Sequence, residues 1–392
     1  MTKVQSESPM NETDAPNVNA PFAILAKDPC GARAGLLQTP RGPVETPAFM
    51  PVATQASVKA LDSDDMRRLG ARAILANSYH LYLRPGTQTV REAGGLHRFM
   101  DYDGFIITDS GGFQVLSLSD LREVDDEGVT FRSHLDGSEH RLTPESVIGV
   151  QAALGSDGWT TLDELAPHPS DAAHVRRALE RTMLWIDRSV PAVAAARAAG
   201  AKSLFLPILQ GGFYPDLRKR AIEHMNAVPA DGVSIGGFMV GEEKDLTWRT
   251  LTETSAALRE DRVRYLMGVG TPRDLWDSVA CGVDMMDCVY PTRVARTGQV
   301  MARDGKFNVT NARFRRDFTP LDPTCACFVC ARYTRAYLGH LLRAKELAAY
   351  RLLSYHNLHF MAAIMAEVRA SILAGRFQSA RQDFLKRYAA AK

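Results

Sequence analysis

Three aspartates and three cysteines are the residues of this chain best suited to chemistry. Asp109 lies in Thr108-Asp109-Ser110-Gly111-Gly112-Phe113-Gln114, Asp163 in Leu162-Asp163-Glu164-Leu165, and Asp287 in Met285-Met286-Asp287-Cys288. Each directly follows a short apolar run. Two carboxylates around one anomeric carbon suffice for substitution at a glycosidic centre, one attacking as nucleophile and the other handling protons. A third, facing a purine, accepts hydrogen bonds from its ring and exocyclic N–H groups. The competing reading is plainer, since an aspartate at a strand end is often only a helix cap.

The cysteines form Cys325-x-Cys327-x2-Cys330, with His340, His356 and His359 downstream. Three thiolates and one imidazole are a tetrahedral zinc set, and a site with no open position is structural. The neighbours Asp322-Pro323-Thr324 resemble a turn more than a core, which disfavours simple burial of free thiols. His356 and His359 lie three apart on an expected helix over residues 337–373, and spacing does not choose between them.

The elements that position these residues follow from hydrophobic periodicity. Eight apolar runs recur, at residues 46–52, 73–76, 105–108, 158–162, 204–209, 232–235, 264–267 and 283–286. Several stretches between them have helical spacing, including residues 144–154 behind a Thr143 cap and residues 171–198 with Val175, Leu179, Met183 and Ile186. Strand and helix alternating about eight times predict an α/β fold, a parallel (β/α)8 barrel. In such a barrel the C-terminal strand ends share one mouth. Asn77, Asp109, Asp163, Gln210, Gly236-Gly237, Gly268 and Asp287 all follow strands, so they are expected around a single pocket.

Composition narrows the class. With 45% apolar residues among 392, a sizeable core forms, which excludes wholesale disorder. No apolar run reaches the roughly 18 residues of a membrane span. The polar opening residues lack a signal peptide's apolar stretch, so residues 1–21 are expected as a disordered tail and the protein as cytoplasmic. Six cysteines are too few for a disulfide scaffold. The net charge of +2 names no partner, but residues 293–335 hold nine Lys/Arg against three acids. That local excess suits phosphates, and equally suits an ordinary solvated surface.

Longer motifs carry a family resemblance. The Thr108–Gln114 segment, Gln210-Gly211-Gly212, Gly236-Gly237 with Val240-Gly241-Glu242, and Tyr265-Leu266-Met267-Gly268-Val269-Gly270 resemble tRNA-guanine transglycosylases. So do Asp287-Cys288-Val289-Tyr290-Pro291-Thr292-Arg293, the cysteine knuckle and Ser354-Tyr355-His356-Asn357. The likeness runs from about Ala23 to Phe377. It implies a TIM barrel over residues 22–392, with a zinc-binding subdomain inserted at about 300–360.

The resemblance also implies exchange of guanine at the wobble position of tRNAs for Asp, Asn, His and Tyr with the deazaguanine preQ1, a step in queuosine biosynthesis. The nucleophile falls on Asp287 and the general acid/base on Asp109, which also contacts the base. Base recognition falls on Asp163, Gln210 and Gly237, with Phe113 and Met267 on either face of the purine. Arg293 and Arg296 fall where the family holds the anticodon loop. One structural Zn2+ falls on Cys325, Cys327, Cys330 and His356, and the family's homodimer is expected. Leu165, Phe238 and Met239 depart from the bacterial pattern beside the base, whereas Val240 matches preQ1 users more than queuine users. Ala53-Thr54-Gln55-Ala56-Ser57 also departs from the family's pattern near the first strand. Queuine-preferring exchange and a non-catalytic zinc-containing RNA-binding homologue are the alternatives.

Overall fold

Proline has no N–H for a sheet ladder, and two prolines shape the parallel sheet. In the computed structural model, which describes residues 21–118 and 122–390, the first barrel strand is cut at Pro51 into Ala48–Met50 and Val52–Ala53. The fifth is cut at Leu206-Pro207 into Leu204–Phe205 and Ile208–Leu209. The pieces pair with different neighbours. Ala48–Met50 joins Met285–Asp287, the eighth strand, and Val52–Ala53 joins Ala73–Asn77, the second. Leu204–Phe205 joins Gly158–Trp159, the fourth, and Ile208–Leu209 joins Gly232–Ile235, the sixth. Phe105–Asp109 and Val263–Leu266 complete the set as third and seventh. Two five-stranded parallel sheets thereby share their edges and close into an eight-stranded (β/α)8 barrel.

Side chains alternate across a strand, which fixes what the barrel contains. Ala73 and Leu75, Phe105 and Ile107, Val263 and Tyr265, and Met285 pack together inside. Continuing the same phase brings Asn77, Asp109, Met267 and Asp287 inward at the C-terminal ends. The candidate site residues are thus the next inward layer above an apolar plug.

The N-terminal end of the barrel is closed by an antiparallel sheet that periodicity did not announce, Phe22–Lys27, Arg33–Leu37 and Val44–Thr46. Phe22, Leu37 and Val44 join the interior cluster. Arg33 is buried there and donates from Nε and Nη2 to Asp284 at 2.8 and 2.6 Å, and to the carbonyls of Glu260 and Arg262. Thr46 belongs to this sheet and not to the first barrel strand, which corrects the expected run. A second insertion, Arg122–Asp125, Gly128–Arg132 and Glu139–Leu142, stands between the third strand and the helix Pro144–Leu154.

The helix expected at 144–154 has its Thr143 capping box, and Asp171 caps Ala172–Ala198. The helix expected at 337–373 is two, Arg335–Arg343 and Leu347–Leu373, because Lys345 turns the chain with φ +60°. The second has 27 residues, about 40 Å. It ties distant parts together. Arg351 makes two bonds to Asp65, and Asn357 bonds Pro291 O, Gln299 O and Met301 N. Arg369 donates to Gly35 O and Thr46 O in the N-terminal plug. Among the described residues no helix is long and apolar enough to cross a membrane. The expected tail at 1–21 lies outside the described residues, apart from Pro21.

Candidate active site and metal centre

The strand ends converge on a cavity of about 500 Å³ at the C-terminal mouth of the barrel. Asn77, Asp109, Phe113, Asp163, Gln210, Gly236, Gly237, Met267, Gly268 and Asp287 all line it, as the strand register requires. Asn77 and Asp109 sit opposite each other in the ladder, and Asn77 Nδ2 donates to Asp109 Oδ2 at 2.7 Å.

Burial sets the protonation of these acids. Loss of hydration, followed by the charge of Asp287, pushes Asp109 up to about 8, against the backbone N–H groups of Ser78 and Gly111. Asp109 therefore holds a proton at neutral pH. Asp287 is also raised by burial, but the Tyr265 hydroxyl at 2.6 Å and Gly268 N–H at 2.9 Å both donate to its Oδ1 and favour the charged form. Burial brings Asp163 up to about 6, moderated by Gln210 Nε2 on Oδ2 at 2.7 Å and Ser110 Oγ on Oδ1 at 3.4 Å. Neighbouring carboxylates whose surroundings differ this much in donors are equipment for separate acid and nucleophile roles.

Two glycines make the pocket this tight. A Cβ at Gly112 would stand 2.8 Å from Asp163 Oδ1, and one at Gly237, with φ +80°, 2.7 Å from Gln210 Oε1. Beyond Gly237 the wall continues through Phe238, Met239 and Val240, facing Leu165. Glu242 fixes this loop by accepting from Met239 N, Val240 N and Thr247 Oγ1, while Met239 takes φ +58°. Behind it, the buried Arg218 stacks on the Phe238 ring at 4.7 Å and donates to Gly212 O. Arg293 is exposed at the cavity rim. Arg296 is not among the cavity-lining residues, and its Nη1 turns back to Thr292 O. Phe113 is 55% exposed where it lines the cavity. Tyr265, Ser110 and Glu242 escaped the sequence reading of roles; only the inward strand phase of Tyr265 signalled it.

The second site brings Cys325, Cys327, Cys330 and His356 together, their ligand atoms within 4.8 Å of one another. His356 Nδ1 lies 3.8, 3.5 and 3.3 Å from the three sulfurs. Tetrahedral Zn–S and Zn–N bonds give an S···N edge of about 3.5 Å, so the donor set fits that metal. His356 Nε2 donates to Met301 O at 2.8 Å, which leaves Nδ1 its lone pair for a metal. His359 approaches only Cys325, at 3.5 Å among the hydrogen bonds of the described residues. Geometry thus selects His356, which spacing did not. This donor set has no built-in water position and suits a structural role.

A (β/α)8 barrel that gathers buried carboxylates at the C-terminal mouth, and adds a thiolate–imidazole cluster beyond the eighth strand, defines the class of protein. A model of the family described as queuine tRNA-ribosyltransferase matches residues 28–390. A queuine tRNA-ribosyltransferase of Pelotomaculum thermopropionicum is 50% identical over 368 residues, covering 94% of this chain and 98% of its own. That of Desulforudis audaxviator is 52% identical over 365 residues, covering 93% and 97%. The Moorella thermoacetica protein of the same name is 50% identical over 372 residues, covering 95% and 98%. The chain belongs to the queuine tRNA-ribosyltransferase family.

Proposed function

We propose that this chain is a tRNA-guanine transglycosylase that exchanges guanine at the wobble position of tRNAs for Asp, Asn, His and Tyr for preQ1, within queuosine biosynthesis. The observation that carries this reading is the shared cavity: Asp109, Asp163 and Asp287 face one space, with Asp109 protonated and Asp287 engaged by donors.

A glycosidic carbon inside a stacked anticodon loop is inaccessible, so the nucleotide must swing out into the cavity. Asp287 attacks C1′, the C1′–N9 bond breaks, and the proton of Asp109 goes to the departing guanine. The incoming base gives a proton to Asp109 and attacks the same carbon, releasing Asp287. Two inversions give net retention, and the RNA backbone stays uncut. Asp163, Gln210 and the Gly237 backbone read the purine edge, and Phe113 and Met267 cover its faces. Arg293, and Arg296 once freed from Thr292, meet phosphates of the loop. Val240 on the wall supports preQ1 over the bulkier queuine.

Cys325, Cys327, Cys330 and His356 would hold one structural Zn2+, which organises a subdomain at about 300–360 within a catalytic domain of residues 22–392. Large apolar side chains exposed in that segment, Phe318, Tyr337 and Leu347, support a homodimer, and the substrate supports a cytoplasmic location.

Radiolabelled guanine supplied with unmodified tRNA tests the reading. Wild-type protein should incorporate label and form a denaturant-stable complex with tRNA. Asp287→Asn should still bind tRNA yet give neither. Full exchange by that variant would remove Asp287 from the mechanism, and no exchange by the wild type would favour a non-catalytic RNA-binding homologue. Competition between preQ1 and queuine decides the base.

A further inference from the structure

The ligand cysteines differ in exposure. Cys327 and Cys330 are 2% and 9% exposed and His356 is fully buried, whereas Cys325 is only half-buried. Solvent-borne oxidants and electrophiles therefore meet Cys325 first. Three thiolates and one neutral imidazole around a divalent ion leave a net negative charge, which keeps the sulfurs nucleophilic. An N–H donated to such a sulfur draws off electron density and fixes its orientation. Cys327 has a donor of this kind in the Cys330 backbone N–H, at 3.4 Å.

His359 stands one helical turn beyond His356 on the same helix, on the same face. It is half-buried, and its Nδ1 lies 3.5 Å from Cys325 Sγ. A metal-bound thiolate has no proton to give, so this contact is a hydrogen bond only when the ring carries its proton on Nδ1. We infer that His359 is a positioning residue for the metal site, donating Nδ1–H to Cys325 Sγ and shielding the most exposed ligand from chemical attack. The inference rests on reading the Cys3His cluster as a metal site. It assigns His359 a part distinct from ligation and from the exchange reaction.

The test uses the full-length protein as purified, with metal content measured first. Metal release is then followed with a chromogenic chelator after addition of excess hydrogen peroxide, for wild type, His359→Leu and His359→Gln. Release from His359→Leu should be about tenfold faster than from wild type, with peptide mapping showing Cys325 oxidised before Cys327 and Cys330. His359→Gln, which keeps an N–H donor, should stay within about threefold of wild type. In protein loaded with cobalt(II), the thiolate-to-metal charge-transfer band should move to longer wavelength in His359→Leu and return in His359→Gln. Equal release rates and unshifted bands overturn the inference while leaving the metal site standing. Equal acceleration in both variants also overturns it, because packing and not the N–H would then be protective. Wild-type protein without stoichiometric metal overturns the metal reading itself, and the first measurement separates that failure from the others.

Discussion

At the scale of residues, the site is a contest between burial and hydrogen bonding. Asp109 is placed where dehydration and Asp287 outweigh its donors, so its proton stays on to about pH 8. Its pKa is raised by folding, so the native state binds more protons than the unfolded chain from about pH 4 to about 8, and stability falls across that interval. Asp109→Asn removes the titrating group. The variant should therefore lose exchange while its thermal midpoint gains on wild type progressively from pH 4 to 8, then by a constant margin above. Equal midpoint differences at pH 4 and pH 8 would contradict the assignment of that proton. The residues of this pocket were legible in the sequence to different degrees. Asp109, Asp163, Gln210 and Asp287 stood out because polar groups at the ends of apolar runs break the pattern. Tyr265 did not, since an aromatic inside such a run reads as core, and its hydroxyl contact with Asp287 depends on strands paired across the barrel.

At the scale of elements, the parallel strands and most helices were readable, and the antiparallel additions were not. The eight-fold alternation survives because each barrel strand is apolar and short. The N-terminal plug is three short strands whose pairing is decided by what they close, namely the barrel end where Ala73, Phe105 and Val263 begin their strands. Its key polar contact, Arg33 with Asp284, spans 251 positions and has no local signal. Both side chains are essentially sealed from water. Removing one partner strands the other charge, so Arg33→Met should cost about 3–5 kcal/mol in chemical denaturation. Adding Asp284→Leu should recover most of that loss, and failure to recover would show that the backbone contacts of Arg33 matter more than the ion pair. The break between the last long helices was illegible for a different reason. Lys345 adopts a left-handed conformation, although neither glycine nor asparagine stands there to announce it.

At the scale of the whole molecule, the barrel and the Cys3His cluster share one helix. His356 lies near the middle of Leu347–Leu373, and Asn357 beside it fastens the chain at Pro291, Gln299 and Met301. Stripping the metal with a chelator should open residues 293–360 to limited proteolysis while the parallel barrel keeps its circular dichroism. Unchanged cleavage would argue that the cluster has no structural role.

The same helix reaches from Asp65 to the carbonyls of Gly35 and Thr46, so sequence order and mechanical order disagree. A gene cut near codon 297 should yield two halves that each precipitate when made alone, because the earlier half is left without its strut and the later half without its footing. Made together in one cell, they should reassemble into a soluble, non-covalent pair.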